Sequence, residues 1–441
     1  MPFLPINAIA IGARRRGASW SSYWATRIPT LTKIAALFTG KTIALYPLNE
    51  TAGTTAEDIS GNNLDAAYSG VVALNQDGIY DLKCCDFVGG GALNIHSAGM
   101  VSAFNPEEGF LSAWIKAGDL TLFGEGSSKY LGVIGADDNN LFYIRSNPSA
   151  GVVLNAVYKG GGSSNIISCD APYSIRWFNL GFSWKKAEGM TFYINGMEVI
   201  KTTDVLNDWT GDIVSAYSYI FSSTYRGSPS KNKALNVVLL DYAPTANEVF
   251  SMVNPIGLIN FVGDSRTGGA KGWMGIAAEG SVLTGIFAFN KYGIMNDGVA
   301  GDTTANIIAR ATTTNARIKT QLNNILVYWA GVNGTQTGQE KYDNVKAYCI
   351  AARAAGWNKI VLCTEIDAQS NMDWHNTYWA EFNALIAADN SFADVVADLG
   401  ARTELQDATD LTYYNADKIH LTVAGYKIVG EVVATALDIV K

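Results

Sequence analysis

A chain of 441 residues with 40 Asp and Glu against 32 Lys and Arg, for a formal charge of −8, lacks the basic surplus that phosphate binding draws on, so nucleic acid is excluded as its main partner. Hydrophobic residues make up 48% and can fill two or three cores, while 44 glycines against 10 prolines mark a turn-rich chain that is not low in complexity. Its five cysteines have neither zinc-site nor disulfide-framework spacing, and no apolar run reaches the roughly 18 residues of a membrane span.

Residues 1–49 contain no Asp or Glu but hold Arg14, Arg15, Arg16, Arg27, Lys33 and Lys41, with Trp20, Tyr23 and Trp24 among them. Residues 1–40 therefore read either as a basic, aromatic anchor, through which the chain joins an assembly or a homo-oligomer, or as a mobile basic arm. The three consecutive arginines follow the first apolar stretch instead of preceding it, which is not the order of a signal peptide.

Residues 41–253 alternate apolar and polar positions between Gly, Asn and Ser turns. Thr42-Ile-Ala-Leu-Tyr46, Phe110-Leu-Ser-Ala-Trp114, Phe178-Asn-Leu-Gly-Phe-Ser-Trp184 and Thr191-Phe-Tyr-Ile194 are predicted strands, and the last runs into Asn195-Gly196, a strong hairpin signal. Many short strands in succession predict an all-β, two-sheet antiparallel sandwich. The stretch from Leu45-Tyr-Pro-Leu-Asn-Glu to Ile59-Ser-Gly-Asn-Asn63 resembles the opening of the laminin-G/concanavalin-like jelly rolls. Arg176-Trp-Phe-Asn-Leu-Gly-Phe182, Phe192-Tyr-Ile-Asn-Gly196 and Leu240-Asp-Tyr-Ala-Pro-Thr-Ala-Asn-Glu-Val249 resemble that family's later strands, in order. The resemblance implies either an accessory glycan-binding module, in some members with calcium, or a packing module. Asp137-Asp138-Asn139-Asn140 fits a supply of calcium oxygens and equally a solvated Asp/Asn turn. His96 is read as structural.

Asn254-Pro-Ile-Gly257 punctuates the chain where the texture changes. From there, residues 256–441 alternate strand-like and helix-like runs. Leu258-Ile-Asn-Phe-Val262, Ile325-Leu-Val-Tyr-Trp329 and Lys359-Ile-Val-Leu-Cys363 are short and apolar, as buried parallel strands are. Residues 342–356 predict a helix closed by glycine, and Val423, Tyr426, Val429, Val433, Leu437 and Val440 predict one face of a terminal helix. The alternation predicts a doubly wound α/β domain whose site lies at the carboxyl ends of its strands.

Four motifs fall at those ends. Gly263-Asp264-Ser265 follows the opening strand and lifts a serine out of a tight turn. Asn296-Asp-Gly-Val-Ala-Gly-Asp-Thr-Thr304 is a glycine-bearing turn into a helix, able to aim N–H groups at an anion. Ala330-Gly-Val-Asn-Gly334 follows the strand ending at Trp329, and Asp417-Lys-Ile-His420 precedes the last helix, with its carboxylate and imidazole three residues apart. Taken singly, Ser265 fits a turn serine, Asn333 a turn or cap residue and His420 a surface histidine. In this order the four resemble the SGNH (GDSL-type) serine hydrolases, over about residues 256–441, and that resemblance implies a flavodoxin-like α/β fold.

By the same resemblance Ser265 is the nucleophile, His420 the general base and Asp417 its orienting carboxylate. The oxyanion hole is formed by the N–H groups of Ser265 and Gly301 and the side-chain amide of Asn333. The chain departs from the family in reading Gly-Asp-Ser-Arg without the usual leucine, and Gly-Val-Asn-Gly where Gly-x-Asn-Asp is common, which removes one local support for the asparagine. His375 is either a loop residue or a lining of the substrate groove. The chemistry needs no metal or organic cofactor. The expected activity is removal of small acyl groups, foremost O-acetyl, from a polysaccharide or cell-surface glycan. The alternatives are a lipid or aryl esterase, or a glycan-binding structural protein with a secondary hydrolase domain. Action outside the cell follows, as a phage tail or virion component or as a secreted protein.

Overall fold

A computed structural model describes residues 31–79, 82–88, 90–117, 130–147, 153–170, 177–221, 232–268, 292–320, 322–369 and 375–440. Between Thr42 and Leu240 the strands form two eight-stranded antiparallel sheets packed face to face. The period-two pattern of Phe178–Lys185 sends Phe178, Leu180, Phe182 and Trp184 inward, where they meet Phe142, Ile144, Leu154 and Tyr158 of the facing sheet. The rings of Phe142 and Trp184 lie 4.6 Å apart at the centre of that contact. Asn195 (φ 50°) and Gly196 (φ 78°) turn the hairpin between Gly189–Ile194 and Met197–Lys201 with both residues left-handed, as the tight turn requires.

The described part of the N-terminal segment is packed against this sandwich. Helix Leu31–Leu37 buries Leu31 and Ile34, and with Phe38 they join a cluster containing Leu45, Trp114, Tyr193 and Met252. The basic and aromatic positions Arg14, Arg15, Arg16, Trp20, Tyr23, Trp24 and Arg27 lie outside the described residues. In the turn considered for calcium, one oxygen of Asp137 accepts the N–H groups of Asn139 and Asn140, each at 2.8 Å, and the Asn140 amide. That carboxylate is engaged by its own Asx turn. Among the described residues no group of three or more His, Cys, Asp and Glu is placed to hold a metal ion, and no helix is long and apolar enough to cross a membrane. Cys84, Cys85, Cys349 and Cys363 are free and buried.

Helix Ala246–Val253 leads out of the sandwich. Thr245 and Glu248 form a capping box at its start, and left-handed Asn254 ends it before Pro255. The chain then enters a five-stranded parallel sheet. Its strands, in chain order, are Gly257–Gly263, Tyr292–Gly298, Asn323–Trp329, Lys359–Cys363 and Val395–Ala397, and across the sheet they lie in the order second, first, third, fourth, fifth. Each face has its own core. Ile259, Phe261, Val327 and Val361 pack under helix Val423–Val440, through Tyr426, Val429, Val433 and Leu437. Leu258, Val262, Leu326 and Ile360 pack under Ile307, Val345, Cys349 and Phe382 from helices Thr304–Ala309, Gly338–Ala355 and His375–Ala388. Burial on both faces is why these strands read as continuous apolar runs.

The second of those helices starts at Gly338, four residues before the predicted Tyr342, because Thr337 and Glu340 form a capping box ahead of it. Gly356, left-handed at φ 118°, ends it as predicted. The strand order reverses direction at Gly257–Gly263, so the connections leaving it and its neighbours open a crevice at their carboxyl ends.

The hairpin turn of the sandwich docks on the edge of the parallel sheet. Met197 is 4% exposed and belongs to the same core as Leu258 and Met295. Gly293 makes room for it, since a Cβ there would lie 2.4 Å from Met197 Cγ. Truncating Met197 to alanine empties this contact, so Met197→Ala should destabilise the full chain by ~2–5 kcal/mol. A urea midpoint equal to wild type would show that the two halves do not depend on it.

Candidate active site

The first parallel strand is buried along its whole length and stops at Gly263. A Cβ at Gly263 would sit 2.0 Å from the Trp329 carbonyl oxygen and 2.3 Å from Thr267 Oγ1, so only glycine lets the chain turn there. The Asp264 carbonyl accepts the N–H groups of Thr267 (3.0 Å) and Gly268 (2.8 Å), closing the single turn Ser265–Gly268 with Ser265 at its first position. One oxygen of the Asp264 carboxylate accepts the Arg266 N–H at 2.9 Å. These bonds occupy the N–H groups of Arg266, Thr267 and Gly268, and the first donor of the turn is that of Ser265. Gly268 in turn lies backbone to backbone on Gly298, the last residue of the second strand.

Asp417 and His420 come to this serine from the other end of the sequence. One oxygen of Asp417 accepts the backbone N–H groups of Ile419 (3.0 Å) and His420 (2.9 Å), folding the segment into a turn. Its second oxygen lies 2.7 Å from His420 Nδ1, and His420 Nε2 lies 2.9 Å from Ser265 Oγ. The arrangement assigns the proton: Nδ1–H donates to the carboxylate, which leaves Nε2 to accept from the serine hydroxyl. Burial pushes the Asp417 carboxyl up, but the hydrogen bonds from Ile419 and His420 outweigh it and hold the group below the usual carboxylate range. An ionised carboxylate therefore faces the imidazole.

Gly301 and Asn333 lie on neighbouring loops. Beyond Gly298, the Val299 N–H donates to the Gly263 carbonyl at 3.0 Å, and Gly301 adopts a left-handed φ of 81°. Asn333 Nδ2 donates to the Asp302 carbonyl at 3.0 Å, which ties the two loops together with one of the two amide protons. Gly334, which stands where an aspartate is common, has a φ of 84°, and a Cβ there would lie 2.8 Å from Thr303 Cγ2. Close approach of the loops thus calls for glycine. Support comes instead from Arg310, which pairs with Asp302 at 2.5 Å and donates to the Gly263 carbonyl at 3.0 Å. In the helix that follows, Thr303 Oγ1 caps the Asn306 N–H, so one of the first-turn donors expected to face an anion is already used.

Sequence reasoning missed what lies under the serine. Asp264, Arg266, Lys341 and Glu365 are each no more than 1% exposed. Arg266 pairs with Glu365 at 2.9 Å, Asp264 accepts the Gly331 N–H at 3.2 Å, and Lys341 donates to the Gly331 carbonyl. Burial raises both carboxyls, the Arg266 guanidinium opposes that, and burial lowers the Lys341 amine. His375 begins helix His375–Ala388, and its side chain lies outside the description. His96 is exposed on the sandwich, where its N–H donates to Asn94.

No family model matches the chain, and no curated protein matches it in sequence. Among solved structures, the receptor binding domain of botulinum neurotoxin mosaic serotype C/D is similar over 48% of this chain and 49% of its own, at 13% identity and a TM-score of 0.37. The botulinum neurotoxin serotype D binding domain is similar over 48% and 50%, at 14% identity and a TM-score of 0.35. The binding domain of botulinum neurotoxin DC in complex with SialylT is similar over 48% and 51%, at 15% identity and a TM-score of 0.36. The chain spans about half the length of each of these structures, and likeness at this level carries no argument about function.

The contact under the serine turn can be tested directly. A methyl group at residue 268 would sit 2.0 Å from the Gly298 carbonyl oxygen, and neither backbone can yield cheaply. Gly268→Ala should therefore lower stability by ~1–3 kcal/mol in urea unfolding. An unchanged midpoint would mean that the turn is looser than described.

Proposed function

We propose that this protein is a serine esterase of the SGNH type, acting through an acyl-enzyme. The observation that carries the reading is the unbroken chain from Asp417 through His420 to Ser265, at 2.7 and 2.9 Å, at the carboxyl end of a buried parallel strand. Ser265 Oγ attacks the ester carbonyl carbon while His420 Nε2 takes its proton, and the Asp417 carboxylate stabilises the resulting imidazolium. The tetrahedral oxyanion is received by the N–H groups of Ser265 and Gly301 and by the Asn333 amide. As the intermediate collapses, His420 returns the proton to the departing alcohol. Water, deprotonated by the same imidazole, then attacks the acyl carbon and releases the acid and Ser265.

The residues that the resemblance assigns to the site beside the serine, Gly301, Asn333 and His420, are small or polar, which suits a short acyl group better than a long aliphatic one. With a companion sandwich that resembles glycan-associated jelly rolls, the favoured substrate is an O-acetylated polysaccharide. Such polymers lie on cell surfaces, so the enzyme works outside the cytoplasm, as a virion component or a secreted protein.

A second reading has the sandwich as the working part, a glycan-binding structural protein with a secondary hydrolase domain. Its premise is the jelly-roll resemblance of residues 41–253, which fold as two eight-stranded antiparallel sheets.

Initial rates on p-nitrophenyl esters of increasing chain length separate these readings. Acetate should be hydrolysed fastest, Ser265→Ala should abolish turnover, and Asn333→Ala should lower kcat by ~10²–10³-fold in a folded chain. Wild-type rates in Asn333→Ala would remove it from the oxyanion hole, and a preference for long chains would redirect the assignment to lipids. Sugar binding by the full chain, with Ser265→Ala no less competent than an inert wild type, would favour the structural reading.

A further inference from the structure

Arg266 follows the nucleophile directly, so its backbone moves with the serine turn. Its side chain, 1% exposed, runs beneath the site and spreads three donors over two distant segments. Nε donates to the carbonyl of Ile419, the residue before His420, at 3.1 Å. Nη1 donates to Glu365 at 2.9 Å and Nη2 to the Asp367 carbonyl at 3.0 Å, both beyond the strand Lys359–Cys363. The Trp329 ring lies 6.0 Å from its Cζ.

The base loop needs such a hold. Lys418, between Asp417 and Ile419, has a left-handed φ of 57°, a conformation that non-glycine residues adopt only when their surroundings impose it. Asp417 engages the loop's N–H groups, and the Gln369 N–H donates to the Lys418 carbonyl at 3.1 Å. The Ile419 carbonyl is held from the nucleophile's own turn. A buried ion pair is weak evidence for a stability role, since well-packed apolar residues often replace one without loss. The planar fork of arginine, unlike the point charge of lysine, fixes directions as well as charge.

We propose that Arg266 is a positioning residue: it sets His420 at hydrogen-bonding distance from Ser265 by anchoring the base loop to the nucleophile turn, with Glu365 as its buried counter-ion. The inference rests on the esterase reading and deepens it. Arg266 touches neither substrate nor the reacting atoms. The charged groups beside it are Asp264, Glu365 and Lys341, and the phenols of Tyr414 and Tyr426 also sense its charge.

The test uses the full chain in two forms, Arg266→Lys and the charge-balanced double variant Arg266→Met with Glu365→Gln, which keeps the question open should the lysine variant fail to fold. Kinetics with p-nitrophenyl acetate are read beside imidazole nitrogen-15 NMR. The chain has three histidines, and the His420 signals are identified by their loss in His420→Gln. In both forms kcat should fall ~10–100-fold, as misplacement of a catalytic group by about 1 Å costs, with KM within about twofold. The His420 Nδ1–H resonance should shift or broaden while those of His96 and His375 stay in place. A folded variant with wild-type kcat and an unmoved His420 resonance would overturn the proposal. A double variant that recovers both wild-type stability and wild-type kcat would reduce Arg266 to a structural ion pair. If the wild-type chain is inert toward esters, the esterase reading fails by itself. The His420 resonance then decides the link alone: moved in the variants it stands, unmoved it falls.

Discussion

A carboxylate sealed from water has to be repaid in hydrogen bonds, and Asp264 is fully buried at the point where the first parallel strand ends. It collects them from two directions, the Arg266 N–H of its own turn and the Gly331 N–H of the loop after the third strand. Satisfying one buried carboxyl group therefore holds the Ser265 turn and the Asn333 loop in a fixed relation. Lys341 reinforces the second loop from the helix behind it, and Arg310 does the same for the Gly301–Asp302 loop through the Gly263 carbonyl. Buried charge and backbone beneath the loops thus tie the Ser265 turn, the Gly301–Asp302 loop and the Asn333 loop to one another.

The sheet order supplies the space in which this happens. Since the first strand lies between the second and the third, the loops leaving all three emerge side by side at one end. The last helix then returns the chain across one face, and the segment before it brings Asp417 and His420 to the same end. Close packing of glycines, with Gly263 under Thr267 and Trp329 and with Gly268 on Gly298, keeps the loops near enough to share hydrogen bonds.

What could be read from the chain alone was whatever local chemistry encodes. The Asn195-Gly196 turn, the glycine stop at Gly356 and the apolar strands are each decided within a few neighbouring residues, and the structure has them in place. The early start of helix Gly338–Ala355 was also legible, in the spacing of Thr337 and Glu340, but the low helix preference of Gly338 obscured it. Ser265, Asn333 and His420 were singled out because their motifs come in a fixed order, and the structure brings His420 to Ser265 and ties Asn333 to the Asp302 loop. The buried charges were out of reach. Arg266 and Ile419 are 153 residues apart, and nothing near Lys341 distinguishes it from the solvated lysines expected on an exposed helix face. Burial of a charge is a property of the assembled tertiary structure, and a charged residue in a one-dimensional pattern defaults to solvent.

The seat of Met197 beside Gly293 has a geometric consequence. Gly293 stands near the start of the second parallel strand and Gly298 at its end, under the serine turn. They are five residue steps apart along the strand, ~16 Å at the rise of an extended chain. The offset between the sandwich's foothold and the Ser265 turn is thus spanned by a hydrogen-bonded strand. On the esterase reading proposed above, a polymer gripped by the sandwich would meet the serine at a constant distance from the grip, so that register along the polymer, rather than diffusion of a loose arm, would determine which substituent is presented.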